Sequence, residues 1–154
     1  MIRRARDNDI EGIIRLLFQV NQVHADGRPD LFKSGGIKYT TDSLKELLKD
    51  NNRPVYVYDD NGTILGYVFC IFETNEETTS LYSHKSLFID DLCVEESRRG
   101  QHIGQQLYEY VKQVAKEEEC YRITLHVWEC NPRAYEFYSK IGMKPLNTTM
   151  EERL

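Results

Sequence analysis

The chain has 154 residues, a net charge of −5, and 40% hydrophobic and 29% charged residues. That length supports one core without disulfides or metal, so a single domain spanning residues 1–154 is expected. The acidic balance argues against a nucleic-acid binder, and no apolar run approaches the ~20 residues of a membrane span.

Four cysteines (Cys70, Cys93, Cys120 and Cys130) form no CxxC pair, and the four histidines are scattered. Reduced thiols and no metal site are therefore expected. With no signal-peptide h-region at the N-terminus, a cytoplasmic location is expected.

Residues 2–6 read as a first strand, with Asp7 or Asn8 capping a helix. The stripe Ile10, Ile13, Ile14, Leu17 and Phe18 follows helical spacing. Residues 24–38 hold Gly27, Pro29, Gly35 and Gly36 and read as an irregular connection. A short helix over 41–50, capped by Thr41 or Asp42, turns Leu44, Leu47 and Leu48 inward. Strands over 53–58 and 63–73 are joined by Asp59-Asp60-Asn61-Gly62, whose Asn-Gly is a hairpin signal. A polar connection over 74–83 leads to a strand over 86–94.

Ile103, Leu107, Tyr110, Val111 and Val114 mark a long helix. A strand over 121–128 follows, alternating Ile123, Leu125 and Val127. Asn131 as cap, Pro132 at the first helical position and Gly142 past the end bound a last helix. Residues 143–154 have room for one or two further strands. This is a mixed α/β order with an antiparallel meander, and the strand–helix–strand unit over 86–128 is expected to be a right-handed parallel crossover.

Two segments carry chemistry. Arg98-Arg99-Gly100-Gln101-His102-Ile103-Gly104 is a glycine-bearing loop that opens a helix, where free N–H groups and the helix dipole favour an anion. About thirty residues on stands Asn131-Pro132-Arg133-Ala134-Tyr135-Glu136-Phe137-Tyr138, followed by Ile141-Gly142-Met143. In this order and at this distance, the pair resembles the acyl-CoA site of the GCN5-related N-acetyltransferase (GNAT) superfamily, across nearly the whole chain.

The resemblance implies an α/β (α+β) GNAT-type fold: a mixed six- to seven-stranded sheet with an N-terminal antiparallel meander, flanked by about four helices. It implies acetyl-CoA as acyl donor and direct transfer to a primary amine. The loop Arg99 to Gly104 would hold the pyrophosphate through backbone amides, with Arg98 and Arg99 neutralising phosphate charge. One motif glycine is replaced by His102. A helical φ there would tolerate the side chain, and that is the expectation; a positive φ would strain it and weaken the donor site.

By the same resemblance Leu92, Cys93 and Val94 would pair main-chain groups with the pantetheine arm, and the Val94 amide would polarise the acyl carbonyl. Asn131 would meet the donor as well as cap its helix. Tyr138 is the candidate general acid, since a phenol stays protonated at neutral pH and can donate to a developing thiolate.

The group that takes the proton of the incoming ammonium is left open among Asp90, Asp91, Glu73 and a water chain. Asp90 and Asp91 are consecutive in a strand, so they are expected to face opposite sides. His24, Arg28 and Phe32, with His126 and Trp128, are candidate acceptor contacts. No added peptide-binding segment accompanies the motifs, which favours a small-molecule amine. A protein or peptide acceptor, and a non-catalytic acyl-CoA-binding module, remain as alternatives. Superfamily members are commonly homodimers, and no nucleic-acid or membrane partner is expected.

Overall fold

A computed structural model describes residues 1–154. Strand β1 is Ile2–Arg4, followed by a single 3-10 turn at Asp7–Asp9 and helix α1 over Ile10–Gly27. Helix α2 is Thr41–Leu47, and three strands follow: β2 (Val55–Asp60), β3 (Thr63–Asn75) and β4 (His84–Val94). Helix α3 (Ile103–Glu117), β5 (Arg122–Leu125) and α4 (Pro132–Lys140) complete the order. No helix is long and apolar enough to cross a membrane.

The five strands form one sheet in the order β1-β2-β3-β4-β5, antiparallel up to β4 and parallel between β4 and β5. That confirms the mixed architecture and the parallel crossover, and corrects the strand count from six or seven to five. The turn after β2 holds both Asn61 (φ 53°) and Gly62 (φ 91°) in the left-handed region, as the primed turns that match strand twist require.

Each face of the sheet is covered by its own helices. Ile13, Leu16, Leu17 and Leu44 pack with Val55, Val57, Tyr67 and Phe69 on one face. Leu107, Val111 and Ala115 pack with Val68, Leu87 and Ile89 on the other. Each fully buried aliphatic side chain contributes about 1.5–3 kcal/mol, so the two helix faces hold the sheet between them.

Local details differ from the sequence expectation for definite reasons. Neither Asp7 nor Asn8 caps α1, which begins at Ile10 after the 3-10 turn; that turn is held by Asp9, whose carboxylate takes two bonds from Arg3 (2.7 and 2.8 Å) and one from the Arg6 amide (2.7 Å). Thr40, one residue before the expected caps, accepts from the Ser43 amide at 3.2 Å to begin α2. Helix α1 continues through His24 to Gly27, because Ala25 is buried and Gly27 lies so close to Cys130 that an added Cβ would meet its Sγ at 2.6 Å. Strand β5 stops at Leu125, not Trp128, and residues 144–154 form no strand within their own chain.

Candidate active site

The pairing of β4 with β5 ends at Ile89–Leu125, so residues 90–94 keep one edge of β4 unpaired and the sheet opens into a wedge. At the same point the β3–β4 register slips: Phe69 faces Asp91 and Cys70 faces Ile89, leaving Asp90 as the extra residue of a bulge. Ile89 and Leu92 pack on the α3 face, whereas Asp90 and Asp91 both turn to the α1 face. The expectation that the two carboxylates face opposite sides is therefore corrected; the bulge adds one residue and breaks the alternation.

Their surroundings differ. Asp90 accepts from Lys38 Nζ at 2.7 Å and from the Tyr39 hydroxyl at 3.2 Å, and Tyr39 is in turn bonded by Arg53 at 3.1 Å. Asp91 accepts from the hydroxyl of Tyr67 at 2.8 Å, and Tyr67 is wholly buried. Burial pushes the Asp91 carboxyl up to about 6, with the Tyr67 bond and Lys38 opposing and Asp90 adding to the rise.

Tyr138, on α4, is raised above the ordinary phenol range, mainly by burial and then by the charges of Asp91 and Cys93. It therefore stays protonated at neutral pH. The Cys93 thiol is itself pushed up to about 12 by burial, so it is no nucleophile at neutral pH. The wedge thus holds a carboxyl poised near neutrality and a phenol that keeps its proton.

At one mouth of the wedge lies the start of α3. The main-chain N–H groups of Gly100, Gln101, His102, Ile103, Gly104 and Gln105 find no acceptor in the protein. Six successive free donors at a helix N-terminus form a cradle for phosphate oxygens. The residues present thus fit the pyrophosphate of an acyl-CoA. Gly100 takes φ 81°, and His102 takes φ 60°, ψ 16°. The expectation of a helical φ at His102 is overturned: the loop keeps the left-handed turn that glycine would make freely, at a cost of about 1–2 kcal/mol for a residue with a Cβ. The imidazole is exposed beside the cradle.

Gly104 serves packing. An added Cβ would meet Phe137 at 3.2 Å and Val94 at 3.5 Å, so this glycine lets α4 close onto α3. Asn131 caps α4 through the Ala134 amide at 3.2 Å. The loop, the end of β4 and α4 are therefore one packed unit. Arg98 and Arg99 lie at the cradle's entrance, Arg99 within 4.0 Å of Glu96.

At the other mouth, His24, Phe32 and Trp128 cluster, with ring centroids 5.0 Å (His24–Phe32) and 5.3 Å (Phe32–Trp128) apart. Burial, then Lys38, lowers His24 below its ordinary value, which keeps the ring neutral. His126 stacks edge-on to Phe88 at 5.2 Å, farther along the β4–β5 seam. Arg28 is taken up by Asp30 (2.8 Å) and Glu151 (2.5 Å).

Glu73 is not brought to the site. It is exposed and pairs with Ser86, four residues or about 13 Å of strand from the bulge. Sequence reasoning left Tyr67, Lys38 and Tyr39 without roles; the strand opposite the acidic pair was the signal that could have singled out Tyr67.

A mixed sheet splayed at a bulge, with an anion cradle at one mouth and a carboxyl–phenol pair in the gap, is the arrangement of a group-transfer enzyme. The family model described as the acetyltransferase (GNAT) family matches residues 19–143, and the chain belongs to that family: it is an acyltransferase. It is 23% identical to a thialysine N-epsilon-acetyltransferase of Bos taurus, over 95% of this chain and 85% of that protein. A mutant of the BH1408 protein from Bacillus halodurans superposes with TM-score 0.96 at 30% identity, covering 100% of this chain and 99% of that one. Aminoglycoside N-acetyltransferase AAC(6')-Iy in complex with CoA shares the fold at TM-score 0.73 and 16% identity, covering 100% and 98%.

Proposed function

We propose that the protein moves an acetyl group from acetyl-CoA directly to the primary amine of a small molecule. The observation that carries this reading is the opening of β4 beside the head of α3. Residues 90–94 keep an unpaired edge, Asp91 is near enough for its charge to act on Tyr138, and six free amides follow the strand. When bound, acetyl-CoA supplies the thioester carbonyl that the amine attacks and the thiolate that leaves.

The cradle from Gly100 to Gln105 holds the pyrophosphate, with Arg98 and Arg99 offsetting its charge. The free edge of Leu92, Cys93 and Val94 orders the pantetheine arm, and the Val94 amide polarises the acyl oxygen. Asn131, the cap of α4, borders the same arm. Asp91, ionised above about pH 6, takes the proton that the attacking ammonium must lose. Tyr138 gives its proton to the departing sulfur. The cysteines are all free thiols, which suits the reducing cytoplasm.

Asp90 holds the acceptor's positive charge before reaction. An ammonium already sits there, that of Lys38, and an incoming amine replaces it. The His24, Phe32 and Trp128 rings offer an apolar wall beside this carboxylate, with His126 exposed just past the end of β5 and Arg28 at the rim. A small cationic amine with an apolar stem fits such a wall. The bovine relative, named for an amino-acid amine, supports a small acceptor.

The test is thiol release from acetyl-CoA by the purified protein across lysine analogues including thialysine, polyamines, aminoglycosides and peptide amines. Turnover is expected with a small-amine class and not with peptides. Transfer to peptides alone would overturn the small-molecule reading.

A further inference from the structure

Lys38 is the one lysine whose ammonium bonds a residue of the β4 bulge. Its Nζ lies 2.7 Å from an Asp90 carboxylate oxygen, one residue along the strand from Asp91. By contrast, Lys49, Lys85, Lys112 and Lys140 meet glutamates on the helices or just past their ends.

The place of Lys38 is set by its neighbour. Tyr39 stacks on Phe69 with ring centroids 5.3 Å apart, and its hydroxyl reaches the same Asp90 oxygen at 3.2 Å. Phe69 is the strand partner of Asp91, so this anchor stands over the bulge itself. Lys38 is held far more loosely. Neither its N–H nor its carbonyl is hydrogen-bonded within the chain, and its side chain is 44% exposed. An exposed ion pair holds its partners weakly, so Nζ leaves Asp90 readily. The Lys38 charge is nonetheless felt by Asp91 and by His24 of the aromatic wall. A flexible four-carbon stem thus carries an amine that is tethered at the acceptor position and free to move there.

We propose that Lys38 is a self-acetylation site, whose Nζ takes the acetyl group from acetyl-CoA bound to the same chain when no other amine is present. This step rests on the acyl-transfer reading above and uses the same residues. The Lys38 ammonium gives one proton to Asp91, which passes it to water. The freed Nζ attacks the thioester carbonyl carbon. A C–N bond forms, the C–S bond breaks, and Tyr138 gives its proton to the departing sulfur. The second proton lost by the nitrogen restores the phenol. The products are acetylated Lys38, the free thiol of CoA and one proton in solvent, so no further reactant is needed. Tethering turns a bimolecular encounter into an intramolecular one, and the step requires no affinity for an outside acceptor. Acetylation also removes the charge of Lys38, which leaves Asp90 to Tyr39 alone.

The test is peptide mass mapping of the purified full chain after incubation with acetyl-CoA carrying an isotope-labelled acetyl group. Thiol release with the small amines is run beside it. Label is expected on Lys38, at up to one acetyl group per chain, with a rate constant unchanged over about a tenfold range of protein concentration. Asp91→Asn should slow labelling by roughly tenfold or more. Lys38→Arg should abolish it, because a guanidinium keeps the charge and stays protonated. A small amine that turns over should slow labelling as well, since both amines use Asp90. Acetyl already on Lys38 at purification counts as the expected result when Asp91→Asn lacks it.

Label spread over all the lysines at the rate found for the urea-unfolded chain would overturn the proposal. So would labelling that quickens with protein concentration or ignores Asp91→Asn. An unmodified Lys38 in a protein that acetylates a small amine would overturn this proposal and leave the acyl-transfer reading standing. An unmodified Lys38 with no amine turned over would overturn both.

Discussion

The hydroxyl of Tyr67, fully enclosed between the sheet and α1, donates to the carboxylate of Asp91 at 2.8 Å. This one bond ties the bulge of β4 to the core of the α1 face. It also gives Asp91 a fixed orientation in a site where burial raises its affinity for a proton.

The first consequence is kinetic. If Asp91 is the base, kcat/KM falls below a pH of about 6 as the carboxyl takes up a proton. Asp91→Asn should abolish that acid limb and lower kcat by roughly 10²–10⁴-fold, the usual worth of a general base. A pH–rate series on both proteins reads this; an acid limb that persists in the variant would assign the base elsewhere.

The same carboxyl makes a stability statement. Its folded value, about 6, lies above the ordinary 3.8, so between these values the folded state binds more protons than the unfolded state. Stability from this group is present at low pH and is lost as pH rises through 4 to 6. Asp91→Asn should therefore stabilise the fold at pH 7 and remove that segment of the pH dependence. Urea midpoints at pH 4.5 and 7 in both proteins provide the check.

Tyr138 lies where burial keeps its phenol protonated. Tyr138→Phe should lower kcat by roughly 10²-fold while leaving acetyl-CoA affinity nearly unchanged, because the ring remains and only the proton is lost. An unchanged kcat in an assay limited by chemistry would falsify the acid role.

His102 holds a left-handed conformation at the head of α3. His102→Gly should relieve about 1 kcal/mol of strain, raising the melting temperature by roughly 2–4 °C. It should also bring acetyl-CoA binding to at least its present strength. A drop in affinity would mean that the imidazole itself contacts the donor.

Much of this architecture was legible because it is local. The Asn61-Gly62 turn, the Asn131 cap and the glycine loop each announce themselves through backbone demands that few residues meet. The bulge at Asp90 was not legible, since a register slip depends on the partner strand and nothing in Asp90-Asp91 marks it. The φ of His102 followed the loop's need for a tight turn and overrode the preference of its side chain. The strands for which residues 143–154 leave room do not form: no main-chain bond follows the one from Met143 to Tyr138, and sequence spacing alone does not show whether a sheet edge is within reach.

In the proposed reading, the head of α3 and the free edge of β4 hold acetyl-CoA against Asp91 and Tyr138. Calorimetric titration of the purified protein with acetyl-CoA tests it most directly. Saturable binding at one site per chain, weakened when Arg99→Ala removes charge at the cradle, is the predicted result. No binding up to millimolar acetyl-CoA would contradict the account, leaving the six free amides of residues 100–105 without the ligand assigned to them.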